Sequence, residues 1–273
     1  MDVSWSFLVA ESLLYPETGI IAKMKITAIR TPLITAHDNL LGIIATCVPR
    51  VPERSILVVT SKVVALWEGA VAPAPRTVAE KHALVAQESD FYIDPGSSQY
   101  GLSLTIRDSN LGVNAGIDES NVAEGFVLLP ENAYDSAKNI WRFIREEYQV
   151  KEVGVIISDS MSLPLKWGVI GRSLGHCGFE GLRNEIGSKD LFGRTMQMTT
   201  VAVAEAVAAA AVFQMGEVAE STPLCLVEDV ATVAFQDRPP TKDELTALTI
   251  DRKDDVFAPL LATASWRKGG RSA

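Results

Sequence analysis

The segment 152–160, EVGVIISDS, constrains the fold of this chain more than any other stretch. It is a short apolar run that ends abruptly in polar residues, which is typical of a strand buried in a sheet. A strand of this kind carries Asp159 to the rim of the sheet, where ligand crevices form. The sequence therefore predicts a buried strand with an acid at its C-terminal end.

The other segments mix strands and helices without regular alternation. β-Branched and apolar content predicts further strands at 24–30, 55–65 and 223–233. Helical spacing predicts helices at 77–89, at 134–149, at 199–217 and in DNLLGIIATCV, where Asp38 is the expected N-cap. Strict βαβ order, a GxGxxG motif and a Walker A motif are all missing from the sequence. We therefore predict an α+β fold and exclude a Rossmann-type sheet.

The overall composition narrows the class of partner. Apolar residues make up 47% and charged residues 22% of the 273 residues, which is typical of a globular protein and not of a disordered one. The formal net charge of −9 repels phosphate backbones and anionic lipids, so we expect neither nucleic-acid nor membrane partners. A nucleotide remains compatible with this charge if metal ions supply the positive charge.

Cysteine usage and the N-terminus bear on localisation. Cys47, Cys177 and Cys225 show neither CxxC nor Cys/His spacing, which favours a reducing compartment and hence the cytoplasm. Residues 1–23 lack a basic region and a cleavage site, so they do not resemble a signal peptide. We interpret them as an upstream start or a loosely attached extension before a domain that covers residues 24–273.

Three acids stand out as candidate metal ligands. Asp159 and Ser160 form an oxygen pair suited to a hard cation, or Asp159 caps a turn. Asp118 lies in NAGIDESN, where a hairpin or Asx-turn is the alternative. Glu217 follows a long alanine-rich helix, where a carboxylate opposes the helix macrodipole unless a metal or solvent compensates it.

Several basic side chains could neutralise phosphates, or could be ordinary surface charges. Those candidates are Lys62, Lys166 beside Trp167, Arg183, Lys189 and Arg194.

Four motifs together resemble one known family. NAGIDESN, GVIISDS, KDLFGR and the alanine-rich helix that ends in MGE occur here in the order and spacing of the coenzyme F420-0:γ-glutamyl ligase family. The resemblance runs from about Met24 to about Val230. It implies an α+β fold of mixed sheets and packed helices in two intertwined parts, and a homodimer with sites near the dimer interface.

The resemblance also implies the chemistry of coenzyme F420 biosynthesis. Members of the family use GTP to join L-glutamate to the carboxylate of a deazaflavin precursor, through an acyl phosphate. Two Mg²⁺ or Mn²⁺ ions bridge the phosphates, and a K⁺ ion is a further candidate cofactor. The chain is thus expected to be an amide-forming, GTP-binding ligase.

Site residues are carried over by position. The resemblance assigns one metal to Asp118 and Asp159 and the other to Ser160 and Glu217, and it assigns catalysis to Asp159 and Lys166. Nucleotide contacts are expected at Thr31, Pro32, Leu33, Ile34, Ser61, Lys62, Asn121, Met215, Gly216, Val218, Ala219, Glu220, Ser221 and Thr222.

This sequence departs from the family pattern at two places. Leu66 stands in VVALWEG where the family has a lysine before EG, and residues 162–168 replace a GR…R pattern with one cation and Trp167. A loss of cations would matter most for an anionic acceptor. Two alternatives therefore stay open, namely the same ligase chemistry on a folate or pterin glutamate tail, or a relative that binds nucleotide without catalysis.

Overall fold

The computed structural model describes residues 24–120, 122, 125–230 and 232–272, so the predictions for residues 1–23 and for Asn121 lie outside it. The described strands are β1 (Lys25–Ile29), β2 (Ser55–Thr60), β3 (Val71–Ala72), β4 (Phe91–Tyr92), β5 (Leu104–Arg107), β6 (Asn110–Val113), β7 (Phe126–Val127), β8 (Val153–Ser162), β9 (Val169–Cys177), β10 (Leu182–Asn184), β11 (Thr200–Ala202), β12 (Leu224–Glu228) and β13 (Arg267–Lys268). The described α-helices are α1 (Leu40–Cys47), α2 (Ser61–Glu68), α3 (Val78–Gln87), α4 (Ala133–Tyr148), α5 (Val203–Met215), α6 (Lys242–Ala247) and α7 (Ala258–Leu261). The predicted α+β class is confirmed.

A five-stranded mixed sheet forms the centre of the fold, in the order β1-β12-β2-β8-β9. Only the β2–β8 pair in this sheet is parallel, with Ser55 opposite Val153 and Thr60 opposite Ser158. Because parallel strands run in the same direction, the C-terminal ends of β2 and β8 lie at one edge of the sheet. That edge carries the polar residues that follow both apolar runs.

The two faces of the central sheet are both buried. Leu57 and Ile157 pack with α1, α2 and α4 on one face, whereas Ile56 and Ile156 pack with α5 on the other. Side chains alternate between the faces of a strand, so a strand covered on both sides must be apolar throughout. This explains the unbroken apolar run that predicts β8.

A second sheet interleaves with the first along the chain. The chain leaves the central sheet after β2, forms β4, β5 and β6 of a four-stranded sheet, and returns at β8. Its last strand, β13, then pairs with β4. This crossing agrees with the expectation of two intertwined parts.

None of the described helices is long and apolar enough to cross a membrane.

The predicted strand 55–65 is too long, because β2 ends at Thr60 and α2 begins at Ser61. Val63 and Val64 are buried within α2, and the helix ends at Glu68 before Gly69, whose φ of 73° is easily reached only by glycine. A short apolar run does not distinguish a buried strand from a buried helix, which is why the boundary was misplaced.

The predicted helix 199–217 and the predicted N-cap also need correction. Residues Thr200–Ala202 form β11, which pairs with β10, and α5 covers only Val203–Met215. The N-cap of α1 is Asn39, whose side chain accepts a hydrogen bond from the Gly42 N–H at 3.1 Å. Asp38 accepts a hydrogen bond from the Thr35 N–H instead, at 2.7 Å. The predicted helices 77–89 and 134–149 are confirmed as α3 and α4.

Gly171 allows α5 to lie against β9, and we expect Gly171→Ala to lower the free energy of unfolding by about 1–3 kcal/mol. A Cβ at this position would lie 2.5 Å from the Val212 Cβ and 2.6 Å from the Ala208 carbonyl oxygen. Urea denaturation measures the change. At Gly112, an added Cβ would lie 3.5 Å from the nearest atom of Arg172, so Gly112→Ala is the matched control. Equal losses in the two variants would contradict this account of the packing.

His176 makes stability depend on pH. The side chain is 1% exposed and packs against Tyr134 and Phe179, and burial lowers its pKa from 6.5 to about 4, against the opposing effect of Glu244. Between these two pH values the unfolded chain binds a proton that the folded chain excludes, so stability is lost as the pH falls.

We therefore expect the free energy of unfolding to fall by up to about 1.4 kcal/mol per pH unit through His176 alone, between about pH 6.5 and pH 4. Urea denaturation at pH 7 and pH 5 measures the slope in the unaltered protein and in His176→Gln, which does not titrate. The variant should show the smaller slope, and identical slopes would refute this assignment.

Candidate nucleotide and metal site

A cavity of about 410 Å³ opens at the sheet edge where β2 and β8 end. Its walls come from segments that are far apart in the sequence, including Thr31 to Ile34, Thr60 to Val63, Asp118, Ser158 to Ser162 and Met215 to Pro223. Parallel pairing of β2 with β8 brings the second and fourth of these segments together. The remaining segments are loops that pack around this edge.

Backbone hydrogen bonds fix the loop between α5 and β12 as one wall of the cavity. The Thr31 N–H donates to the Ser221 carbonyl and the Thr60 N–H donates to the Pro223 carbonyl, both at 3.0 Å. Helix α5 ends at Met215 and is followed by Gly216, whose φ of 84° is easily reached only by glycine. The loop is thereby joined to the ends of β1 and β2.

Asp159 lies opposite Arg172 in the β8–β9 pair and forms an ion pair with it. The Arg172 Nη2 atom lies 3.3 Å from Asp159 Oδ2, and the Ser61 hydroxyl donates to Asp159 Oδ1 at 3.2 Å. Burial raises the pKa of the Asp159 carboxyl, and the positive charge of Arg172 opposes that rise. Asp159 is therefore an acid held by partners on neighbouring elements and not a free turn cap.

Asp118 also lines this cavity. Its backbone bridges to Val127, and its side chain accepts hydrogen bonds from Lys62 Nζ and the Ser120 N–H, both at 2.7 Å. Burial opposes ionisation of Asp118, but these hydrogen bonds outweigh it and lower the pKa of the carboxyl. Asp118 therefore forms an Asx-turn with Ser120 and also lines the cavity. The turn does not exclude a role as a metal ligand.

Ser160 and Glu217 contact each other directly across the cavity. The Ser160 hydroxyl lies 2.9 Å from both Glu217 carboxylate oxygens. β8 supplies Ser160, and the turn after α5 supplies Glu217. This contact brings together the two residues that the sequence assigned to a second metal.

The donor set fits a hard divalent cation that also binds phosphate. All four predicted ligands offer oxygen atoms, which Mg²⁺ and Mn²⁺ prefer. Within the described residues, no three His, Cys, Asp or Glu side chains come close enough to hold a metal ion by themselves. Mg²⁺ commonly binds one or two carboxylates and takes its remaining ligands from water and substrate phosphates, so this arrangement suits it.

The described residues predicted to contact nucleotide all line this one cavity. They are Thr31, Pro32, Leu33, Ile34, Ser61, Lys62, Met215, Gly216, Val218, Ala219, Glu220, Ser221 and Thr222. Ser61 and Lys62 begin α2, and Thr222 donates a side-chain hydrogen bond to the Met215 carbonyl. The predicted roles of these residues stay predictions, but their positions are compatible with one shared ligand.

The other predicted cations lie outside the walls of the cavity. Lys166 is in the exposed turn between β8 and β9, next to Trp167, which is 94% exposed. Arg183 pairs with Glu185 at 2.6 Å and Arg194 pairs with Asp190 at 2.7 Å. Lys189 donates a hydrogen bond to the Thr195 hydroxyl. Among the described residues, the cations that line the cavity are Lys62 and Arg172.

Arg172 is the residue that sequence reasoning missed. It sits in VIGRSLGH, within an ordinary strand, and no motif marks it. Only the pairing of β8 with β9 shows that it lies opposite Asp159. Leu66, where the resemblance implies a lysine, lines the cavity and is 4% exposed.

Comparisons with known proteins place the chain in a family. A model of the F420-0:Gamma-glutamyl ligase family matches residues 28–229. The chain is 30% identical over 250 residues to the coenzyme F420:L-glutamate ligase of Methanococcus maripaludis, which covers 86% of this chain and 97% of that protein. It is 35% identical over 210 residues to the ligase of that name from Archaeoglobus fulgidus, which covers 72% of this chain and 83% of the relative. It is 32% identical over 198 residues to the Methanocaldococcus jannaschii ligase, which covers 68% and 79% respectively.

The family match spans the strands, the helix α5 and the loops that form the cavity. These three relatives align over 79% to 97% of their own length, so the likeness covers most of each of them. The sequence-based recognition is confirmed, and this chain belongs to the F420-0:gamma-glutamyl ligase family.

Proposed function

We propose that this protein is a GTP- and divalent-metal-dependent ligase that adds L-glutamate to the carboxylate of coenzyme F420-0. One observation carries the proposal, namely that the described residues expected to hold nucleotide and metal line a single cavity although they are scattered along the chain. Membership in a ligase family and its relatives' activity as coenzyme F420:L-glutamate ligases support the same choice of acceptor and amino acid.

The proposed reaction has two transfers. The acceptor carboxylate attacks the γ-phosphorus of GTP, which forms an acyl phosphate and releases GDP. The amine of glutamate then attacks the acyl carbon, and inorganic phosphate leaves as the amide forms. Bound divalent cations would neutralise phosphate charge and align the reactants.

The chain's own side chains have distinct tasks in this scheme. Asp118 and Asp159 are the proposed ligands of one metal, and Ser160 and Glu217, whose side chains are in contact, are those of the other. Lys62 holds Asp118 in place and begins α2, whose first N–H groups favour an anion. The loop from Gly216 to Thr222 forms the wall of the nucleotide site that follows α5.

Lys166 and the homodimer belong to the same proposal. Lys166 lies at the tip of the β8–β9 hairpin, between Leu165 and Trp167, which are 101% and 94% exposed. Such an apolar tip suits contact with a second copy of the chain, because water contact is costly for large apolar side chains. Lys166 would then act near the dimer interface and not within its own cavity.

A different acceptor is the second candidate. Leu66 lines the cavity where the family has a lysine, so the cavity has less positive charge for a phosphodiester-bearing deazaflavin. A folate or pterin glutamate tail would demand less positive charge there, and the exposed indole of Trp167 could stack on its flat ring. The ligase chemistry would be unchanged.

Mass spectrometry of the acceptor tests the proposal directly. The protein is incubated with GTP, L-glutamate and Mn²⁺, and with either the deazaflavin precursor or a folate. We expect a mass gain of one or more glutamyl units on the deazaflavin. A gain on the folate alone would select the second acceptor, and nucleotide binding without any gain would indicate a protein that no longer catalyses.

Amide substitution of the proposed ligands should stop turnover. We expect Glu217→Gln and Asp159→Asn to lower kcat at least about 100-fold, because an amide cannot supply the charge that a metal ligand needs. Glu217 is exposed, so its variant should keep the melting temperature of the unaltered protein. Glu146→Gln, on the exposed face of α4, is the matched control. Full turnover in both ligand variants would show that the site is wrongly assigned.

A further inference from the structure

Arg172 is a buried cation in a cavity expected to receive both cations and anions. The residue is 6% exposed and lines the cavity. Two of its five N–H donors have partners, because Nη1 donates to the Leu111 carbonyl at 3.0 Å and Nη2 to Asp159 Oδ2 at 3.3 Å. Its Nε is buried and has no hydrogen-bond partner among the described residues. The guanidinium therefore retains unused donor capacity at a charged site.

A metal ion bound to Asp159 would compete with Arg172 for the same carboxylate oxygen. Its Oδ1 accepts from Ser61 and its Oδ2 faces Arg172, so both oxygens are engaged. A divalent cation bound at this carboxylate would repel the guanidinium and compete with it for Oδ2. A buried arginine that loses its carboxylate partner needs another anion, because an unpaired buried charge is strongly unfavourable.

A phosphate group is the anion that the cavity would supply. An arginine fork matches phosphate oxygens as well as it matches a carboxylate. Helix α2, Lys62 and the loop after α5 all border the same cavity, so a nucleotide phosphate there lies within the space that Arg172 lines. The cavity offers no cation at Leu66 that could replace Arg172 in this task.

We propose that Arg172 is a charge-exchange residue, which pairs with Asp159 in the metal-free site and transfers its hydrogen bonds to a nucleotide phosphate when a divalent cation binds Asp159. The inference rests on the proposed function, since it assumes that the cavity holds nucleotide and metal. It assigns to this chain an anion-binding arginine on strand β9 that replaces the positive charge missing at Leu66 in helix α2.

The exchange predicts effects of opposite sign on the two ligands. Removing the guanidinium frees Asp159 from a competitor, so Mn²⁺ should bind more tightly in the absence of nucleotide. Removing it also deletes a charged donor, so nucleotide should bind more weakly. If Arg172 only supported the fold, its replacement would weaken the binding of both Mn²⁺ and nucleotide.

The experiment compares the unaltered protein with Arg172→Gln and Arg172→Lys. Electron paramagnetic resonance of free Mn²⁺ measures metal affinity without nucleotide, and calorimetry with a non-hydrolysable GTP analogue in saturating Mg²⁺ measures nucleotide affinity. For Arg172→Gln we expect Mn²⁺ affinity to rise at least about tenfold and nucleotide affinity to fall at least about tenfold. Arg172→Lys keeps the charge but not the fork, so nucleotide affinity should fall by less and Mn²⁺ affinity should not fall.

Arg107→Gln is the matched control for loss of a buried arginine. Arg107 is 3% exposed, pairs with Glu88 at 3.0 Å and has a buried Nε that makes no hydrogen bond, but it does not line the cavity. Its replacement should lower the melting temperature without changing the two affinities in opposite directions.

The outcomes separate this inference from the proposed function. If the unaltered protein binds both ligands and Arg172→Gln weakens both or changes neither, the charge exchange is refuted while the proposed function stands. If Arg172→Gln does not fold, a loss of Mn²⁺ affinity in Arg172→Lys refutes it equally. Failure of the unaltered protein to bind the nucleotide analogue would overturn the proposed function and the inference with it.

Discussion

The parallel pairing of β2 with β8 is the constraint on which the rest of this structure depends. It is the one parallel contact in the central sheet, and it puts Ser61 and Asp159 at the same edge, where they form a hydrogen bond. Both strands are buried on both faces, so neither can shift by one residue without turning its apolar side chains to the wrong layer. The relative positions of the site residues therefore depend on this register.

Electrostatic balance is the second requirement of the cavity. Asp118 and Asp159 are carboxylates in partly buried positions, and each has a cation within its own chain, Lys62 or Arg172. Each partner cation favours the ionised form of its carboxylate when no metal ion is bound. A chain with a net charge of −9 can thus keep a cavity ready for phosphate, provided that cations are set beside the acids.

The connection between helix α5 and the cavity links packing to the site. Gly171 lets α5 approach β9, and the helix then ends at Met215 and delivers Glu217 opposite Ser160. The loop that follows is fixed to the ends of β1 and β2 by backbone hydrogen bonds from Thr31 and Thr60. A residue such as Gly171, which touches no ligand, is for this reason part of what positions the metal and nucleotide side chains.

The sequence alone was enough for the class of fold, for β8 and α4, and for many of the residues that line the cavity, although not for Arg172. These features depend on local signals, namely an unbroken apolar run, helical periodicity and short motifs in a fixed order. It misplaced the boundary between β2 and α2, because Val63 and Val64 are equally suited to a buried strand and a buried helix. It also included Thr200–Ala202 in a helix, because only pairing with β10 makes this segment a strand.

Sequence by itself thus determined which side chains of this protein carry charge and oxygen, and roughly which elements present them. Tertiary structure alone decided which of these charges meet. Arg172 lies opposite Asp159 because β9 folds back on β8, whereas Arg183 and Arg194, which seemed equally suited to phosphate, pair with acids outside the cavity. Residue type fixes the charge of a side chain, but strand register and loop closure fix its neighbours, and those contacts between distant segments leave no local mark in the sequence.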